Sequence, residues 1–204
     1  MMRPISRTTR LVRALVVSAS LATATLMTGC ASMYVDTATK EVPVASMKKP
    51  AQLKPTQVAF EFKTHGAPNT AGTKQLSDAV IKQVAESGLF APAAATGSAL
   101  LTVSLDNIKL GDDPTSKAFV TGLTFGLAGT AVSDGYVCTL TYLAPGQTTP
   151  VVKKATHAIH ATIGNASAPA GAGPKVDATT AINTMTRDIV SNALRDLSLD
   201  PSFN

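Results

Sequence analysis

The sequence predicts an α+β fold: one antiparallel or mixed sheet of about four strands with two helices packed on one face, in the order β-α-β-β-β-α. Three observations lead there. Four stretches alternate apolar with polar residues or are rich in β-branched residues. Two others repeat apolar residues at helical spacing, and breakers rich in Gly and Pro separate the elements. Trp is absent and aromatic residues make up 4% of the chain, so the expected core is Leu, Val, Ile and Ala.

The first strand is "TQVAFEFK", with Val58, Phe60 and Phe62 on one face and Ala59, Glu61 and Lys63 on the other. "THGAPNTAG" breaks it. In "TKQLSDAVIKQVAESGLF", Leu76, Val80 and Val84 recur every fourth residue, which marks an amphipathic helix. Thr73 is the expected cap, and Gly88 stands where a left-handed residue would end the helix. "LLTVSLDNIKL" is the second strand, turning Leu101, Val103 and Leu105 inward and closing on "GDDP". "DGYVCTLTYL" and "VVKKATHAIHATIG" flank "APGQTTP" as a hairpin, with Tyr136, Cys138, Leu140 and Tyr142 on one face. "GNASAPAGAGPK" reads as a flexible loop. The last helix opens on Asp177 as N-cap, runs Ile182, Met185, Ile189 and Ala193 along one stripe, and stops before Pro201.

Ahead of these elements, residues 1–13 carry Arg3, Arg7, Arg10 and Arg13 and no acid, and sixteen uncharged residues follow. A basic head, a short apolar run and a small residue describe an export signal. The run is shorter than the roughly 20 residues of a membrane span. It ends on Met27-Thr28-Gly29-Cys30, which resembles the bacterial lipobox, with Met27 standing where Leu is usual. The resemblance implies cleavage between Gly29 and Cys30 and acyl chains on Cys30, and two or more such chains anchor a protein stably. Ala31-Ser32 lacks the aspartate that retains many such lipoproteins at the inner membrane, so the implied location is the outer membrane, periplasmic face. The expected organisation is a signal peptide over 1–29, a lipidated N-terminus and flexible tether over 30–55 with room for a short strand at Tyr34-Val35, and one periplasmic α+β domain over 56–200. The order of elements is also similar to small periplasmic lipoproteins of the lipopolysaccharide-assembly type and to the TolB N-terminal region. That likeness implies a fold and no function.

Charge and chemistry narrow the function further. The whole chain has 18 Lys+Arg against 13 Asp+Glu, and four of the basic residues belong to the export signal. The remaining 14 against 13 give no basic patch, which excludes a nucleic-acid partner. With Cys30 acylated, Cys138 has no partner for an intramolecular disulfide. His157 and His160 are spaced as H-x-x-H, but residues i and i+3 of a strand face opposite ways, so they cannot share one metal ion. They are expected as surface or edge-strand histidines, with His65 in a loop. Asp112-Asp113 sits in turn chemistry. No catalytic motif is present, so no enzyme, metal or cofactor is expected.

One segment asks for its own explanation. "AFVTGLTFGLAGTAV", 118–132, carries no charge, and in a helix Ala118, Gly122, Gly126 and Thr130 would form a small-residue seam beside Phe119, Leu123 and Leu127. It reads as part of the domain's own core, as a partner contact, or as a membrane contact. Phe119, Gly122, Leu123, Phe125, Gly126 and Leu127 are the candidate contact residues. The expected function is that of a lipid-anchored, non-catalytic lipoprotein that binds another cell-envelope component. The alternative is a lipid-anchored carrier or sensor of a small amphiphile such as lipid.

Overall fold

A computed structural model describes residues 31–108, 131–164 and 166–203. In chain order the elements are β1 (Ala31–Asp36), β2 (Lys54–Thr64), β3 (Ala67–Pro68), α1 (Thr70–Glu86), β4 (Phe90–Pro92) and β5 (Ala99–Ile108). There follow β6 (Ala131–Leu143), β7 (Val151–Ile163), β8 (Ala172–Val176) and α2 (Ala178–Ser198). The eight strands form one mixed sheet in the order β3-β2-β5-β6-β7-β1-β8, with β4 also paired to β2. β2 runs parallel to β5 and β4, whereas β5, β6 and β7 form an antiparallel meander.

The α+β class is consistent with this architecture, but the expected sheet of about four strands is not: eight are present. The four long strands are the ones whose side chains alternate. β1, β3, β4 and β8 have 6, 2, 3 and 5 residues, too few for a periodic pattern to stand out. They exist because a neighbour supplies backbone partners. Residues read as a flexible loop hold β8, and residues read as a tether hold β1, which lies between β7 and β8.

The face covered by the helices presents Leu101, Val103 and Leu105 from β5 and Tyr136, Cys138, Leu140 and Tyr142 from β6, all buried. Leu76, Val80 and Val84 of α1, and Met185, Ile189 and Leu194 of α2, complete the cluster. Aromatics contribute more to it than their number promised. Phe90, Tyr142 and Phe203 stack with ring centroids 5.0–6.1 Å apart, and this packing carries a bonus beyond buried area. The described residues from Ser32 onward gather into one compact unit that holds this whole core.

The helix ends show local chemistry at work. α1 begins before the expected cap: Asn69 is the N-cap, its side chain accepting from Gly72 N at 2.9 Å. Thr73 instead ties helix to sheet, accepting from Phe62 N at 2.9 Å and donating to Asn69 O at 3.0 Å. Gly88 ends the helix at φ +65°. Asp177 caps α2 by accepting from Thr180 N at 2.9 Å.

Residues 37–53 run along the domain as a strap. Val42 N donates to Ser191 Oγ, Lys48 N to Ser198 Oγ, and Asn192 Nδ2 to Lys40 O, at 2.8, 3.1 and 2.7 Å. Lys49 Nζ donates to Ser87 O, and Met47 is a core residue. A segment held this way is part of the fold, in contrast with the flexible tether expected over 30–55. Its polar contacts are with α2, β7 and the end of α1, some 40 to 150 residues further along, so the local sequence carries no trace of them.

One close approach sets a testable limit. A Cβ on Gly72 would lie 2.6 Å from Phe62 Cδ1, so α1 meets the sheet only because residue 72 has no side chain. Gly72→Ala is expected to cost about 1–3 kcal/mol through overpacking, despite alanine's better helix propensity. Urea unfolding of the two proteins checks this; an unchanged or higher midpoint would contradict it.

Candidate functional site

β7 carries both candidate histidines. It is an interior strand, and His157 and His160 are each 0% exposed, so the expectation of surface or edge-strand histidines is overturned. Pleating sends them to opposite faces. His157 lies on the helix side, where Ala158 N donates to Nδ1 at 2.8 Å and Nε2 is left to face Asp188 Oδ2 of α2 at 3.4 Å. On the other face, His160 Nε2 lies 3.1 Å from Asp36 Oδ2 of β1, and both side chains are wholly buried. One strand is thus joined to α2 on one side and to the N-terminal strand on the other.

The Asp36 carboxyl feels opposing effects. Burial pushes its pKa up, but the bond to His160, a 2.7 Å bond from Ala38 N and the electrostatic pull of His160 and His157 hold it below the usual carboxylate value. The thiol of Cys138 is pushed up to about 12 by burial alone, which makes it a packing group and a poor nucleophile. Tyr136 is also raised to about 12, by burial and by nearby Asp134.

A concavity of about 530 Å³ is a cleft between α1 and α2 that the strap also lines. Asp78, Ala79 and Lys82 line it from α1, Asn183, Thr186 and Arg187 from α2, and Glu41, Val42 and Met47 from the strap. Its charges are largely matched. Arg187 Nε meets Glu41 Oε2 at 2.9 Å, and Lys82 Nζ lies 3.8 Å from Glu86 Oε1. Gln83 Nε2 donates across the helices to Arg187 O at 2.8 Å. The buried Thr186 hydroxyl has no hydrogen-bond partner among the described residues, an uncommon state for a buried polar atom. The walls combine apolar surface with a few polar groups, and the size falls within the roughly 300–1,000 Å³ typical of ligand pockets.

None of the three histidines and no cysteine lines this cleft. His65 sits in an exposed turn at φ +52°. The described residues contain no cluster of three or more His, Cys, Asp or Glu able to hold a metal ion. Cys30 and Gly29, the Asp112-Asp113 turn, and the candidate contacts Phe119, Gly122, Leu123, Phe125, Gly126 and Leu127 lie outside the described residues. Sequence reasoning named neither the strap nor Thr186, Arg187 and Glu41 as parts of a site. The helical stripe of α2 was the one available signal, since Asn183, Arg187 and Ser191 follow one another at i, i+4 and i+8 beside it.

No protein-family model matches the chain, and no curated protein matches it. Among solved structures, a PelC dodecamer from Paraburkholderia phytofirmans is similar at 12% identity and a TM-score of 0.33, over 72% of this chain and 92% of that one. Protein XCC0632 from Xanthomonas campestris, of the DUF330 family, is similar at 13% identity and a TM-score of 0.28, over 74% and 91%. Likeness of this degree carries no functional inference. Among the described residues, no helix is long and apolar enough to cross a membrane.

The Asp36–His160 pair predicts a pH dependence. The folded pKa of Asp36 lies below its unfolded value of 3.8. Its contribution to stability is therefore present above that value and is lost as pH falls through the folded one. Asp36→Asn is expected to cost about 1–3 kcal/mol at neutral pH by replacing the carboxylate that faces His160 Nε2, and to flatten the loss of stability as pH falls below 3.8. Urea unfolding at several pH values checks both. A variant with wild-type acid sensitivity would contradict the assignment.

Proposed function

We propose that this chain is a lipid-anchored lipoprotein of the cell envelope, held through acyl chains on Cys30 at the periplasmic face of the outer membrane. Its domain binds another envelope component without catalysis. The observation that carries this reading is the cleft between the helices. One wall is the strap that follows the anchor position in sequence, the lining includes the Thr186 hydroxyl, unpaired among the described residues, and His157, His160 and Cys138 are spent in the core. A cleft with matched charges and no activated nucleophile or base is suited to recognition. The lipobox resemblance supplies the anchor, and the absence of aspartate after Cys30 favours the outer membrane.

Two variants of the full-length protein test it in a Gram-negative host. Cys30→Ala is expected to abolish acyl mass and flotation with outer membranes. Ala79→Trp fills the cleft from an exposed position on α1. It is expected to leave anchoring and unfolding unchanged while reducing, at least tenfold, the envelope component recovered after crosslinking in cells. Equal recovery from Ala79→Trp and wild type would contradict the assignment of the cleft, and equal anchoring of Cys30→Ala would contradict the lipobox reading.

A further inference from the structure

A second pocket, of about 510 Å³, differs from the cleft in one decisive respect: no residue lining it is charged. Phe62 of β2, Tyr136 of β6, Ile159 of β7 and Leu76 of α1 are its most buried residues, with Met33 of β1 and Ile182 of α2 beside them. Its rim is made by first-turn residues of both helices, Ala71 and Gly72 of α1 and Ala178 and Thr179 of α2. Gly72 holds it open, because a side chain there would strike the Phe62 ring. The larger cleft, by contrast, counts Glu41, Asp78, Lys82, Glu86 and Arg187 among its lining residues. An uncharged concavity of this size, more apolar than polar and with Asn69, Gln75 and Thr179 among its lining, can take hydrocarbon beside a few polar groups.

Its place in the chain says where that hydrocarbon comes from. The described chain begins at Ala31, and Met33 is three residues beyond Cys30. Three extended residues span at most about 10 Å. If Cys30 is held at a bilayer surface, Met33 in the lining of this pocket is held within about that distance of the lipid. No residue of β1 lines the cleft.

We propose that this pocket binds an acyl chain of a bilayer lipid at the membrane surface to which the protein is anchored. The proposal rests on the reading of Cys30 as the anchor, which places lipid within three residues' reach of Met33, but the pocket itself is testable without the anchor. Chain binding draws on burial of methylene groups, each worth about 0.8 kcal/mol when fully buried, so affinity rises with chain length until the pocket is filled.

The test uses residues 31–204, which hold the whole described core, and the fluorescent fatty acid cis-parinaric acid as probe. Saturable binding of one probe per chain is expected, at least tenfold weaker in Ala71→Trp and in Ala178→Trp. Both positions are exposed on the rim, so folding is expected to survive, and circular dichroism and urea unfolding verify it. The titration is repeated on acylated full-length protein extracted into nanodiscs, with intact mass confirming the acyl groups. Binding of nanodisc lipid, read by crosslinking a photoactivatable phosphatidylethanolamine to Met33 or Ile182 peptides, supports the proposal. No saturable binding by residues 31–204, or equal binding by both rim variants, overturns it while leaving the anchor to be judged by intact mass. Binding that disappears once the protein is acylated overturns the bilayer source in favour of the protein's own chain. An absence of acyl mass on full-length protein overturns the anchor and with it the supply of lipid.

Discussion

The Asp36–His160 pair is the constraint on which the rest of the structure depends. Two ionisable side chains with no exposure at all are costly to bury unless each satisfies the other, and breaking such a pair costs far more than its formation returns. The pair is therefore better understood as a device for specifying an arrangement than as a source of net stability. It sets β1 into the sheet beside β7, 124 residues away in sequence. β1 then supplies the backbone partners for β8, a Gly- and Pro-bearing strand that reads as loop on its own.

From that placement the strap follows. A chain leaving β1 at Asp36 passes α2, where Ser191, Asn192 and Ser198 offer hydrogen bonds to its backbone. Ser191 also donates to Asp188 O, and Asp188 is the residue that faces His157 from the opposite side of β7. The two buried pairs are thus connected through α2 and the strap, so the cleft wall and the first strand are positioned by the same set of contacts. Asp188 at 3.4 Å makes a looser contact with His157 than Asp36 makes with His160 at 3.1 Å, which makes the N-terminal pair the stricter of the two.

The sequence discloses the long elements because they must alternate to lie between a core and another environment. β2, β5 and β6 repeat apolar side chains every second residue, at Val58, Phe60 and Phe62, at Leu101, Val103 and Leu105, and at Tyr136, Cys138, Leu140 and Tyr142. β7 is long and rich in β-branched residues, and both helices carry clear stripes. The short strands have too few residues for such a pattern, and what makes them strands is a neighbour's backbone, which no local pattern records. The histidines illustrate the same limit. Alternation correctly separates them onto opposite faces, yet their burial depends on Asp36 and Asp188, and nothing near residue 157 or 160 names those acids. The cleft was illegible for a related reason, since one of its walls comes from residues whose composition reads as linker. The wholly uncharged segment 118–132, which the sequence singles out, lies outside the described residues.

With β1 in the sheet and the strap bonded to α2, residues 31–53 leave little free chain ahead of β2. Amide hydrogen exchange of the full-length protein, resolved over residues 31–53, tests this most directly. The account predicts slow exchange for the β1 amides at Met33–Asp36, approaching that of β7, with protection also at Val42 and Lys48 where the strap donates to α2. Exchange across 31–53 at the rate of an unstructured peptide, alongside a protected β7, would show a free tether and contradict the account.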